Sequence, residues 1–125
     1  MAYSRIPALA LTADVVAVIV FAAIGRASHD ESGNVLALAG TAAPFAVGLA
    51  AAWVTPIVHA RPAGLRAGAT VLAGTALIGL LVRFAFTGRL PLSFAAVAIV
   101  SLGVLLLGWR GLSALVASRV AQRVK

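Results

Sequence analysis

Residues 7–24 read PALALTADVVAVIVFAAI. At 1.5 Å per residue this helix is about 27 Å long, close to the ~30 Å of hydrocarbon in a bilayer. A proline opens it at position 7, in the first turn, where no helical amide bond is lost. A single acid, Asp14, interrupts the apolar run.

Three more runs of similar length follow, at 35–58, 67–86 and 92–109. Between them lie short polar gaps. SHDESGN occupies 28–34, RPAG occupies 61–64 and TGRLP occupies 87–91, all with turn punctuation. The sequence therefore predicts an all-α polytopic membrane protein. It is expected to be a single domain forming a four-transmembrane-helix up-down bundle, with an amphipathic basic tail at 110–125. Pro44 falls inside the second run and predicts a kink or bend there. In the tail, Leu112, Leu115, Val116 and Val120 recur at helical spacing among basic residues. That pattern fits an extension of the fourth helix or an interfacial helix that anchors on anionic lipid.

Composition agrees. Of 125 residues, 62% are hydrophobic and 10% charged, against roughly 25% charged in a soluble domain. The net charge is +7. The basic residues flank the apolar runs instead of lining one face, which points to membrane orientation and away from nucleic acid. Four spans place both termini on one side. Arg5, Arg61, Arg66, Arg110, Arg119, Arg123 and Lys125 gather there, against Arg26, Arg83 and Arg89 on the other side. The positive-inside rule then predicts an inner-membrane, multi-pass protein with both termini cytoplasmic. A cleaved signal peptide fits the first run poorly. The run exceeds the usual 7–15 residue core, carries Asp14 and lacks a convincing small-x-small cleavage site. There are no cysteines, so disulfides, thiolate metal sites and thiol catalysis are excluded.

Asp14 is the sharpest chemical signal. A carboxylate within a span costs about 2.5–3.5 kcal/mol on insertion scales, so it is expected to face the bundle interior. Counting rises from Pro7 puts it ~10 Å from the inner boundary, level with Thr75 and with Ser101 near Gly103. These three are predicted to form one polar layer. One reading makes Asp14 the titrating site of a small-solute or proton-linked transporter or channel. The alternative is a structural carboxyl that bonds hydroxyls or an arginine and holds helices together. Arg83, late in the third run, is expected to snorkel to the outer interface. With Arg26 and His29 it would form the external mouth of such a carrier, and Ser28 is a further candidate for binding a solute or ion. His29, Asp30 and Glu31 are consecutive and converge poorly on a metal, so no metal or cofactor is expected. Trp53 and Trp109 fall at the inner boundary, as interfacial aromatics do. Gly40, Pro44 and Gly48 at four-residue spacing, together with Gly79, predict close helix contacts. Those contacts would lie within the bundle, between copies in a homo-oligomer, or against a membrane-protein partner. No catalytic triad or phosphate loop is present, and no enzyme is expected.

The chain resembles a small family of bacterial and archaeal four-helix membrane proteins, the domain of unknown function 3054. The resemblance rests on Asp14, the run IGRASH at 24–29, Pro44-Phe45, Trp53, Arg83 and LGWR at 107–110. It implies the fold but no activity, and it marks Asp14, Arg26, Ser28, His29, Arg83, Trp109 and Arg110 as positions of interest. Small multidrug transporters share four helices and a carboxylate in the first, a likeness of fold alone. Three roles stay open: a carrier, an accessory or scaffold subunit, and a binder of lipid or pigment.

Overall fold

The computed structural model describes residues 6–28 and 35–124. Four helical spans in it are long and apolar enough to cross a membrane. Helix α1 is Ile6–Ser28 and α2 is Val35–Trp53. A short α3, Pro56–Ala60, follows. The third span is composite: α4 (Leu65–Ala73), a π-helical segment (Gly74–Ile78) and α5 (Gly79–Thr87) run on without interruption. Helix α6, Leu92–Val124, is the fourth.

The spans close into a ring. Helix α1 packs on α2 and α6, α2 packs on the composite span, and α4 packs back onto α6. Phe45, Leu49, Val71, Ala98, Leu102 and Leu106 are buried at the centre. The outside is no less apolar: Leu9, Val16, Leu77, Phe86, Val100 and Val104 are all well exposed. A surface of this kind suits acyl chains as its solvent, and the protein is an integral, multi-pass membrane protein.

Local sequence sets the breaks. The second run was expected to continue to 58, but α2 stops at Trp53. Thr55 precedes a proline and is held extended (φ −79°, ψ 146°), which the helix cannot accommodate. The Thr55 backbone N–H and hydroxyl both donate to the Ala52 carbonyl, at 3.1 and 2.7 Å, and so close the helix end. Pro56 then opens α3 as its first residue. Pro44 is buried within α2, which continues through it. Gly88 ends α5 in the left-handed conformation (φ 70°) that glycine adopts without strain.

The tail continues α6 as one helix. Its 33 residues make it about 50 Å long, roughly 20 Å more than the hydrocarbon requires. Residues 111–123 are exposed throughout, and the first turns of this extension wall a groove at that end of the bundle.

Tight packing centres on the π-helical segment. An added Cβ at Gly48 would lie 2.5 Å from the Gly74 carbonyl oxygen and 2.9 Å from the Thr75 Cα. At Gly79 an added Cβ would lie 2.5 Å from Phe45 Cδ1. Gly40 differs, because an added Cβ there meets nothing within 4 Å in the chain.

Candidate functional site

Asp14 is fully buried, two turns into α1. Its carboxylate meets four donors. The Arg110 guanidinium is bidentate, Nη1 to Oδ1 and Nη2 to Oδ2, both at 2.8 Å. Trp109 Nε1 donates to Oδ1 at 2.8 Å, and Trp53 Nε1 donates to Oδ2 at 2.9 Å. Each oxygen thus accepts one charged and one neutral hydrogen bond. Every partner is a donor.

Arg110 is itself fully buried and almost fully satisfied. Its Nε donates to the Pro62 carbonyl at 3.0 Å, and Nη1 also donates to Leu106 O at 3.1 Å. The guanidinium carbon lies 4.4 Å from the Trp109 ring centroid, within cation–π range. Gly68 makes room for the side chain: a Cβ at that position would lie 2.6 Å from Arg110 Cδ. One ion pair therefore joins α1, the end of α2, the turn before α4, α4 itself and α6.

Helix geometry explains why these groups meet. Side chains on a helix lean toward its N-terminus. Arg110 and Trp109 lie on α6 as it runs toward the end of the bundle where α1 starts, and Trp53 lies on α2 running the same way. Their side chains therefore lean back into the bundle. Asp14, on the antiparallel α1, leans toward that end. The two directions close a gap that Cα heights alone leave open.

The polar layer expected from the sequence is not formed. Asp14 spends its hydrogen bonds on Trp53, Trp109 and Arg110. Thr75 is fully buried in the π-helical segment, and its hydroxyl has no hydrogen-bond partner. Ser101 is half-buried on α6. Equal depth did not bring the hydroxyls to the carboxylate, because the larger donors fill the space around it. Arg83 does not turn to Asp14 either. Its guanidinium carbon sits 4.5 Å from the Phe94 ring centroid. Arg26 and Ser28 belong to the last turn of α1, and His29 lies outside the described residues, as do Asp30 and Glu31. Of the positions marked for packing, Pro44, Gly48, Trp53 and Gly79 are buried in this chain, and Gly40 is exposed.

Trp109, expected as an interfacial aromatic, and Arg110, a position of interest from the resemblance, are partners of the acid. The dipeptide Trp-Arg at the end of the last apolar run was the available signal, since both residues carry donors. The Pro62 carbonyl had no signal at all.

Because the Thr75 hydroxyl lacks a partner, Thr75→Val keeps the shape and removes an unsatisfied polar group. Thermal unfolding in detergent should show equal or higher stability, by about 1 kcal/mol. A clear loss would mean that the hydroxyl is bonded.

A family model described as protein of unknown function (DUF3054) matches residues 11–113. The chain belongs to this family. The matched region contains Asp14, Trp53, Pro62, Gly68, Trp109 and Arg110, so the whole ion-pair constellation of this DUF3054 member lies inside it. No curated protein and no solved structure matched the chain.

Proposed function

We propose that this DUF3054 protein is a non-transporting membrane component, an accessory or scaffold subunit, in which Asp14 is a structural latch. The burial of Asp14 carries this reading. Its carboxylate is 0% exposed and engaged by four donors. A carrier site must release its groups to water or solute in each cycle. Releasing this one requires separating a bidentate ion pair in a medium of low dielectric, where the exposed charges would be costly. The same contacts brace four spans against one another, which suits a subunit whose task is to hold a shape. The apolar outer faces would then meet lipid, further copies of the chain or a membrane-protein partner.

The carrier reading keeps one support. The π-helical segment Gly74–Ile78 with its buried Thr75 breaks the regularity of the third span, and π-bulges often accompany function. Purified protein in liposomes separates the two. The scaffold reading expects proton, alkali-cation and organic-cation fluxes equal to those of protein-free vesicles, and a stoichiometric partner on mild purification. Flux by the wild type that Asp14→Asn abolishes would overturn it.

A further inference from the structure

A groove of about 1090 Å³ opens at the end of the bundle where α1 begins. Its walls come from the start of α1, α3, the 61–64 turn, the start of α4 and the first turns of α6 beyond Trp109. Three basic-type side chains line it: His59, Arg61 and Arg66. The remainder is largely apolar, including Ile6, Ile57, Leu65, Ala114 and Ala117, with Ser113 as a hydroxyl.

Among the described residues, Arg61 and Arg66 have no counter-charge. Asp14 is the only acid among the described residues, and Arg110 occupies it. Arg61 and Arg66 are exposed, and among the described residues neither side chain has an ion pair. The start of α4 adds to the positive field. Its N-cap is Gly64, which supplies no side-chain acceptor to the first-turn N–H groups. The helical span behind it runs 23 residues to Thr87.

The depth of the groove limits which ligand chemistry suits it. Starting at Leu92, about 20 residues of α6 cross ~30 Å and reach Gly111. Ser113, Ala114 and Ala117 therefore stand roughly 3–9 Å beyond the hydrocarbon, at the level of lipid headgroups. Unpaired guanidinium groups at that depth, above an apolar wall, match a phosphate joined to acyl chains. We propose that this groove binds one anionic phospholipid, with Arg61 and Arg66 on its headgroup phosphate and its upper acyl carbons against Ile6, Ile57 and Leu65. The site does not depend on whether the protein transports anything.

Native mass spectrometry of the detergent-purified protein with equal phosphatidylglycerol and phosphatidylcholine tests this. The wild type should retain one phosphatidylglycerol per chain in preference to phosphatidylcholine. Arg61→Gln/Arg66→Gln should lower that preference roughly 10–30-fold, at about a factor of five per arginine. Arg119→Gln/Arg123→Gln removes the same charge from the exposed tail and should leave the preference intact. Both double variants alter exposed side chains, and unchanged melting would confirm their fold. Equal loss in the tail variant would show a diffuse basic anchor and overturn the site, as would full retention by the groove variant. Displacement of the lipid by millimolar inorganic phosphate would also overturn it, by showing a site for the free anion.

Discussion

Arg110→Ala should be the most damaging single substitution in the chain. It leaves the Asp14 carboxylate buried with two indole N–H groups and no cation. Removing one member of a buried pair typically costs about 3–5 kcal/mol, because the remaining charge is uncompensated. The Pro62 carbonyl also loses its guanidinium donor, and with it the tie between the α3–α4 turn and α6. In thermal unfolding in detergent, the midpoint should fall roughly 10–20 °C, scaling from soluble domains of similar size. Arg110→Lys should recover only part of this. An ammonium cannot bridge both carboxylate oxygens while also reaching Pro62. Near-wild-type melting of Arg110→Ala would mean that the pair contributes little to the fold.

Gly48→Leu should have the next largest effect. The obstacles around Gly48 are backbone atoms of Gly74 and Thr75, which cannot rotate away as a side chain would. Even Gly48→Ala should cost about 1–3 kcal/mol, since α2 must move back from the π-helical segment. Gly48→Leu should cost more and lower the yield of folded protein in size-exclusion chromatography. Gly40→Ala, two helical turns earlier, is the internal control. It meets nothing within 4 Å and should be neutral or stabilising by about 0.5–1 kcal/mol, because alanine orders more readily in a helix. Similar losses at both positions would show that the small-residue row packs against something outside this chain.

These two sites differ in how far the sequence disclosed them. The four spans were legible because their length and apolarity answer directly to bilayer thickness. The break after Trp53 was hidden by hydropathy, since Val54, Ile57 and Val58 are as apolar as the residues before them. Thr55-Pro56 held the information, through the restriction that proline places on its neighbour. The π-helical segment had no local signature. It depends on how Gly74 and Thr75 fit against Gly48 on another helix.

Asp14 was recognised as the residue that a bilayer would not tolerate alone. Depth along the helix axes does not disclose its partner. By that count Arg110 stood at the boundary, outside the fourth apolar run, while Asp14 stood ~10 Å inside. A long side chain leaning toward its helix N-terminus covers that distance, and antiparallel neighbours lean toward each other. The hydroxyls of Thr75 and Ser101 had the right height but lay outside the space around the carboxylate.

Asp14 and Arg110 act as one buried unit that fastens the bundle. A double-mutant cycle on unfolding free energy, using Asp14→Ala, Arg110→Ala and the two combined, tests it most directly. The pair should show a coupling of about 3 kcal/mol, so that the double variant loses that much less stability than the two single losses added together. Strictly additive losses would contradict it, for they would mean that the acid and the guanidinium stabilise the protein independently.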